Sequence, residues 1–209
     1  MPDLNLDHLV YAVPDLQAEV ERLDRLTGIR AIPGGQHPGW GTRNALIALG
    51  DDIFLELIGP DPEQPPPKNP RVFGIDALTK PRLVTWAAKA RDLSRLVSDA
   101  ARAGIMLGAV SNGRRRTPDG VLLEWQFTDP QTVVADGIIP FFIDWGRTPH
   151  PARSAAAGAR LSGLRAIHPE AARVRATLAR LGLELSVSEG PGPALIAAID
   201  SPRGRIELQ

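Results

Sequence analysis

The feature that most constrains this chain is a pattern of strand, capped helix and glycine that occurs three times. The first copy starts with the apolar strand Leu6–Val13, and it continues with a helix that Pro14-Asp15 begins and Gly28 ends. The other two helices end at Gly104 and Gly182, so the three glycines stand 76 and 78 residues apart. This period is too long for a solenoid repeat, and it indicates three copies of one small module of strand, helix and hairpin.

Proline-rich stretches separate the copies and predict where each module ends. Residues 61–70 contain five prolines, and residues 147–159 are rich in proline, alanine, glycine and arginine. We therefore predict a first module over residues 1–60, a linker over 61–81, a second module over 82–146, a linker over 147–159 and a shorter third module over 160–209.

Composition argues against several classes of function. The 209 residues carry 24 acidic and 24 basic side chains, without a block of like charge that would attract a nucleic acid or an anionic membrane. Because the chain has no cysteine, a bound metal would need nitrogen and oxygen ligands. Apolar runs are far shorter than the ~20 residues of a membrane span, and the N-terminus lacks the basic start of a signal peptide. We expect a cytoplasmic protein without nucleic-acid or membrane partners.

Three residues with metal-binding or acid–base side chains lie inside strands that are otherwise apolar. They are His8, Glu56 within Ile53–Ile58, and Asp144 after Phe141-Phe142-Ile143. Burying an unpaired carboxylate costs several kcal/mol, so each carboxylate needs a partner unless it faces water at a sheet edge, which is the alternative for Glu56. His8 is either a ligand or a structural histidine that hydrogen-bonds to a neighbour. All three types bind Zn²⁺, Fe²⁺, Mn²⁺, Ni²⁺ or Co²⁺.

Two loops carry further candidate binding groups. Residues 33–41 contain four glycines and two prolines together with His37 and Trp40. The segment 111–120 contains three consecutive arginines, which form either a solvated hairpin or a clamp for a carboxylate or phosphate, and we assign the clamp to Arg116. His37, His150 and His168 all precede proline, so turn chemistry explains them, and His37 is the one expected at a pocket mouth.

The sequence resembles the vicinal oxygen chelate superfamily, and within it the glyoxalase-like proteins. The resemblance rests on four stretches, namely Leu6–Leu16, His37–Leu46, Phe54–Ile58 and Pro140–Gly146. It implies an α+β fold in which repeated βαβββ modules form a cupped, mixed or antiparallel sheet with the helices on its convex side.

The resemblance also implies a divalent metal in the cup, ligated from the first and last strands of each module. His8 matches the first-strand ligand of module one, and Glu56 matches its last-strand ligand. Asp144 matches the last-strand ligand of module two. Thr85 departs from the pattern, because family members often have histidine, glutamine or glutamate there, and members that have lost ligands bind organic molecules without a metal.

Two main functions are open at this stage. A metal-dependent lyase, isomerase or dioxygenase would polarise a substrate oxygen, with Glu56 or Asp144 as the base that moves a proton. A metal-free binding protein of the drug-sequestering type would hold a flat ligand between aromatic side chains, with an arginine for its charge. A purely structural partner protein is disfavoured, because buried carboxylates need a reason. The predicted substrate-binding residues are His37, Trp40, Asn44, Trp86, Arg116, Trp125 and Phe142.

The third module has no counterpart in a two-module cup. Its strand Ala194–Ile199 is nearly all apolar and would promote aggregation if it were left in water. We expect a homodimer in which the third modules of two copies pair about a two-fold axis. The alternative is that this module folds back over the cup and covers the ligand.

Overall fold

The computed structural model describes residues 5–117 and 120–209, except for the side chain of Arg116. Residues 5–60 form β1 (Leu6–Ala12), α1 (Leu16–Thr27), β2 (Ile32–His37), β3 (Thr42–Gly50) and β4 (Ile53–Pro60). Residues 82–144 form β5 (Arg82–Lys89), α2 (Leu93–Arg102), β6 (Val110–Arg116), β7 (Leu122–Thr128) and β8 (Phe141–Asp144). Residues 160–208 form β9 (Arg160–Ile167), α3 (Ala171–Arg180), β10 (Ser186–Ser188), β11 (Ala194–Ser201) and β12 (Gly204–Leu208). Short 3₁₀ turns cover Val72–Ala77, Ala135–Gly137 and Pro151–Arg153.

The first eight strands form one mixed sheet in the order β2-β3-β4-β1-β5-β8-β7-β6. β1 and β5 pair antiparallel at its centre, β1 pairs parallel with β4, and β5 pairs parallel with β8. The same βαβββ connection therefore occurs on both sides of the β1–β5 pair. This large curled sheet confirms the predicted α+β fold with a cupped sheet.

Helix α1 begins and ends at the residues that the sequence predicts. The Asp15 side chain accepts a hydrogen bond of 3.0 Å from the Ala18 N–H, and Gly28 ends the helix in the left-handed conformation, with φ of 74°. Val20 and Leu23 on its apolar face are buried in the same cluster as Leu9 of β1. The capped helix therefore covers the convex face of the sheet and leaves the concave face to other groups.

The predicted linker over residues 61–81 packs against the concave face. Its 3₁₀ turn buries Val72 and Ile75 in a cluster with Val10, Ala12 and Ile58 of the sheet. This part of the linker therefore forms a wall of the cup.

The last four strands form a second sheet in the order β10-β9-β11-β12. Leu195, Ala197 and Ile199 of β11 lie in the same hydrophobic cluster as Leu9 and Trp86 of the large sheet. The expectation that this apolar strand needs a cover from outside the chain is therefore wrong, because the convex face of the large sheet buries it. The homodimer itself stays a prediction without that support.

Within the residues that the structure describes, none of the helices combines the length and apolar character that a membrane span requires.

Candidate active site

The concave face of the large sheet contains a cavity of about 520 Å³. Strands from both sides of the β1–β5 pair line it, and so does the 3₁₀ turn at Val72. The polar and charged side chains discussed below are those of His8, His37, Asn44, Glu56 and Arg115, and the aromatic ones include Trp40, Phe54, Trp125, Phe127, Phe141 and Trp145. The alternative of a solvated Glu56 at a sheet edge is not what the structure shows, because Glu56 is buried in β4, which lies between β3 and β1.

The Glu56 carboxylate is the centre of the polar part of the cavity. Asn44 of β3 donates a hydrogen bond of 2.5 Å from Nδ2 to Glu56 Oε1. The Nε2 atom of His8 lies 3.7 Å from Oε2, and the Nε2 atom of His37 lies 3.9 Å from Oε1. Both distances exceed a direct hydrogen bond, so the two imidazoles face the carboxylate without binding it tightly.

Asp7 orients the His8 ring from the other side. Asp7 Oδ1 lies 2.7 Å from His8 Nδ1, and the same carboxylate accepts hydrogen bonds from Trp145 Nε1 and from His150 Nε2, at 3.0 and 3.1 Å. Burial alone would raise the pKa of Asp7, but the hydrogen bonds and charges of His150 and His8 outweigh it and lower the pKa to about 2. Because an ionised carboxylate only accepts, His8 carries a proton on Nδ1 and turns Nε2 toward Glu56.

His37 is held by the strand that follows it. Its Nδ1 lies 2.9 Å from the hydroxyl of Thr42, which is fully buried. Burial lowers the pKa of His37, and the negative charge of Glu56 offsets this only in part. Because this lowers the pKa of His37 below its ordinary value, the neutral imidazole predominates near pH 7.

Arg115 is the arginine of the 114–116 run that is buried in the cavity. Only 6% of the residue is exposed, and its Nη1 donates a hydrogen bond to the carbonyl oxygen of Gly34 in β2. Burial lowers the pKa of Arg115, and the charge of Glu56 opposes this shift. Arg114 is exposed. The side chain of Arg116, which the sequence analysis selected, lies outside the described part of the chain.

Trp40 and Trp125 line the cavity as expected, and both lie beside Phe127, with ring centroids at 6.3 and 6.5 Å. Trp86 and Phe142 lie elsewhere. Trp86 is 0% exposed in the core on the helix side, where its Nε1 donates a hydrogen bond of 2.8 Å to the Ile138 carbonyl oxygen, and Phe142 is in the same core. They do not line the cavity, because side chains alternate between the two faces of a strand.

The same alternation separates Asp144 from Glu56. Phe141 and Ile143 of β8 line the cavity, whereas the Asp144 carboxylate accepts a hydrogen bond of 2.8 Å from the Gly146 N–H and is not among the lining groups. In the register, Glu56 stands opposite Val10 and Phe141 stands opposite Ala87. β1 and β5 are the equivalent central strands of the two modules, so their partners in the sheet can be compared position by position. Phe141 therefore occupies the position in module two that Glu56 occupies in module one.

The metal that the resemblance implies does not fit these side chains. Thr85 donates a hydrogen bond of 2.9 Å from Oγ1 to the Gly137 carbonyl oxygen, and Phe141 offers no ligand atom. His8 and Glu56 thus supply two ligands from one module, and Asp144 does not join them. Across residues 5–117 and 120–209, no three histidine, aspartate or glutamate side chains are arranged to hold a metal ion.

The predicted set lacked Asp7, Arg115, Trp145 and His150, as well as the lining rings Phe54, Phe127 and Phe141. Asp7 carried a signal, because a carboxylate next to His8 in a buried strand needs a partner. His150 makes the turn contact that its sequence predicts, since its Nδ1 accepts from the Ala152 N–H at 3.3 Å. Its second contact, with Asp7, joins residues 143 positions apart and has no local signal.

The chain matches a known family over most of its length. A family model described as "Glyoxalase-like domain" matches residues 6–182. A search of curated proteins gave no match to this sequence.

A solved structure shows the same fold over nearly the whole chain. This hypothetical protein from Staphylococcus aureus is 14% identical over 98% of both chains, with a TM-score of 0.64, so the likeness extends over all three modules. Methylmalonyl-CoA epimerase from Mycobacterium tuberculosis is 22% identical over 66% of this chain and 85% of its own, with a TM-score of 0.44. A variant of the Streptomyces coelicolor methylmalonyl-CoA epimerase in complex with 2-nitronate-propionyl-CoA is 20% identical over 66% of this chain and 94% of its own, with the same TM-score.

Proposed function

The chain belongs to the glyoxalase-like domain family, and from this premise we propose that it is an isomerase or lyase that moves a proton on a small organic substrate. The observation that carries the proposal is the position of Glu56. Its carboxylate faces two imidazole Nε2 atoms in a largely aromatic cavity of about 520 Å³, which suits a small molecule.

Glu56 is the proposed general base. Asn44 fixes one carboxylate oxygen, so Oε2 is the oxygen that receives a proton from a substrate carbon. A buried carboxylate held in one orientation is suited to this step, because proton transfer requires the base within hydrogen-bond reach of the C–H group.

His8 is the proposed second acid–base group. Its Nδ1 faces the ionised Asp7, so Nε2 is the ring nitrogen that faces Glu56 and the cavity. When Nε2 takes a proton, the negative charge of Asp7 stabilises the imidazolium. Glu56 and His8 lie side by side, so a proton taken at one substrate atom can return at a neighbouring atom or leave with a departing group.

A divalent metal, when bound in a protein of this superfamily, supplies Lewis-acid polarisation of a substrate oxygen. The side chains of this cup supply only two of the ligands that the resemblance implies, so the proposed steps use Glu56 and His8. Metal content of protein purified without a chelator tests this part. A stoichiometric metal whose removal abolishes activity would overturn it.

A second candidate, a metal-free protein that sequesters a flat ligand, is favoured by the aromatic wall. Trp125 lies beside both Phe127 and Trp145, with ring centroids at 6.5 and 5.1 Å, and such surfaces stack on planar compounds. In that case ligands would quench tryptophan fluorescence without any chemical change.

Hydrogen exchange in D₂O separates the two candidates. Small 2-oxo acids, hydroxyketones and 3-oxo acids are incubated with the protein, and loss of each C–H signal is followed by NMR. We expect catalysed exchange for at least one compound and a rate at least 100-fold lower in Glu56→Gln, since general bases contribute about 10²–10⁴-fold. Glu124→Gln, an exposed carboxylate on β7, is the control. Compounds that bind without exchange would favour the binding protein. Catalysed exchange that persists in Glu56→Gln would show that Glu56 is not the base.

We also propose a cytoplasmic protein whose site is complete within one chain. The lining groups described above come from the first two modules and the linker between them. Sedimentation tests the homodimer, and activity at concentrations where the chain is monomeric is the expected result.

A further inference from the structure

We propose that the ligand of this cavity carries a carboxylate and that the guanidinium of Arg115 binds it. The inference rests on the proposed function only in taking the same cavity as the binding site.

The first observation is an unpaired buried cation. Arg115 is 6% exposed, yet among residues 5–117 and 120–209 it has no ion pair with a carboxylate within 4.0 Å. The charge of Glu56 is near enough to raise the pKa of Arg115, but Glu56 and Arg115 do not form an ion pair among the described residues. One oxygen of Glu56 is bound by Asn44 instead. A buried charge without a counter-ion is costly, so the cavity favours a ligand that brings a negative group.

The second observation is that the side chain is already held in place. Nη1 donates to the Gly34 carbonyl oxygen, which joins β6 to β2, the two edge strands of the large sheet. A guanidinium has five N–H donors in a planar fork, and one hydrogen bond to a carbonyl leaves the others for a ligand. A fork of this shape matches the two oxygens of a carboxylate.

The third observation is the charge of the surroundings. The buried guanidinium of Arg115 balances a single negative charge, whereas Arg114, which also lines the cavity, is exposed, so solvent screens its charge. Trp40, Phe127 and Trp125 also line the cavity. A monoanion with an apolar or aromatic body therefore fits better than a phosphate ester, which carries up to two charges at pH 7.

Binding of matched compounds tests the proposal without requiring turnover. Phenylacetate and 4-methylpentanoate are compared with their neutral amides, with phenyl phosphate and with inorganic phosphate, by calorimetry and by tryptophan fluorescence. In the wild-type protein we expect each carboxylate to bind at least 10-fold more tightly than its amide, and more tightly than either phosphate compound.

Arg115→Gln should remove this preference, with at least a 10-fold loss for the carboxylates and an unchanged affinity for the amides. Unchanged amide binding also shows that the cavity is intact. Arg115→Lys should restore part of the preference if the Gln variant does not fold. Arg91→Gln, which replaces an exposed arginine that does not line the cavity, should change each affinity less than twofold.

Three results would overturn the inference: equal wild-type affinity for acid and amide, tighter binding of phenyl phosphate, or a preference that survives in Arg115→Gln. Wild-type protein that binds none of the compounds at millimolar concentration would also overturn it. In that case, Glu56-dependent exchange of neutral ketones would still support the proposed function. Conversely, a carboxylate preference without any exchange would support the inference and contradict the proposed enzymatic activity.

Discussion

Asp7 and His150 are 143 residues apart in the chain, and their side chains meet in a hydrogen bond of 3.1 Å between Oδ2 and Nε2. Asp7 is 0% exposed, and it binds His8 at the same time. The segment after β8 therefore folds back to the first strand and fixes the group that orients His8. This contact makes the geometry of the proposed active site depend on residues outside the cup.

Replacement of Asp7 by asparagine should lower the free energy of unfolding at neutral pH. It should also make that free energy depend less on pH in the acidic range. The ordinary pKa of 3.8 falls to about 2 in the folded state, which corresponds to about 2 kcal/mol of stability from ionised Asp7. Because the folded pKa is the lower one, this contribution is complete above pH 3.8 and is lost as the pH falls through about 2. Urea unfolding at pH 7 should therefore show a loss of about 2 kcal/mol in Asp7→Asn.

The difference between wild type and Asp7→Asn should shrink as the pH is lowered toward 2. Asp51→Asn, which replaces an exposed aspartate in the β3–β4 turn, is the control and should follow the wild-type curve. A difference that does not change with pH would show that the Asp7 charge is not the cause.

A methyl group at Gly34 should disturb the Glu56 carboxylate from a distance. A Cβ there would overlap the Asn44 side-chain oxygen and lie 3.1 Å from Leu46 Cγ, so Asn44 must move away from Glu56. We expect Gly34→Ala to lose about 1–3 kcal/mol of stability, the usual cost of overpacking, and to weaken any activity that needs Glu56.

Gly192→Ala is the matched control, because a Cβ at Gly192 meets nothing within 4 Å. Urea unfolding and the D₂O exchange rate of both variants give the comparison. Equal effects of the two substitutions would argue against a role for the Asn44–Glu56 contact.

Trp86 and Trp125 should respond differently to replacement by phenylalanine. Trp86→Phe leaves the buried Ile138 carbonyl oxygen without its donor, which should cost about 1–3 kcal/mol of stability and leave ligand affinity unchanged. Trp125→Phe should leave stability nearly unchanged and weaken aromatic ligands about 2- to 10-fold, as expected for the loss of about 0.5–1.5 kcal/mol of ring contact. Unfolding curves and fluorescence titrations of both variants test this. A Trp86→Phe variant that loses ligand affinity, or a Trp125→Phe variant that loses stability, would contradict it.

Removal of the third module should unfold the protein rather than release a stable cup. Leu195 and Ile199 share a core with Leu9 of β1, and Arg203 donates a hydrogen bond of 2.6 Å to the Arg25 carbonyl oxygen at the end of α1. A chain that ends at Gly158 would expose this apolar surface to water. We expect it to lack cooperative urea unfolding and near-UV dichroism, and a well-folded shortened chain would contradict the shared core.

Local signals predicted the elements well. The apolar run of β1, the Asp15 cap and the Gly28 terminus each depend on neighbours within a few residues, and the structure shows them where the sequence places them. Glu56 and His8 were recognised because a polar side chain in an apolar strand is costly unless a partner is present. The structure brings them within 3.7 Å of each other.

Register was the part that the sequence could not supply. A shift of one residue moves a strand side chain to the other face, and Asp144 and Phe142 differ from the cavity-lining Phe141 and Ile143 in this way. The same limit applies to the arginine run, where Arg115 is buried and Arg114 is exposed. The position of β11 depends on burial against distant strands, which a local pattern does not encode.

The unequal halves of the cup have a stereochemical consequence. Glu56, His8 and His37 all belong to the first module, whereas β8 presents Phe141 and Ile143 on the other side. Among the described residues, the groups proposed to transfer protons thus all come from one half of the cup, and a planar carbon bound there would meet them from one side. Proton removal and return should therefore be suprafacial, so that a prochiral CH₂ group exchanges one of its two hydrogens with solvent and the product has a single handedness.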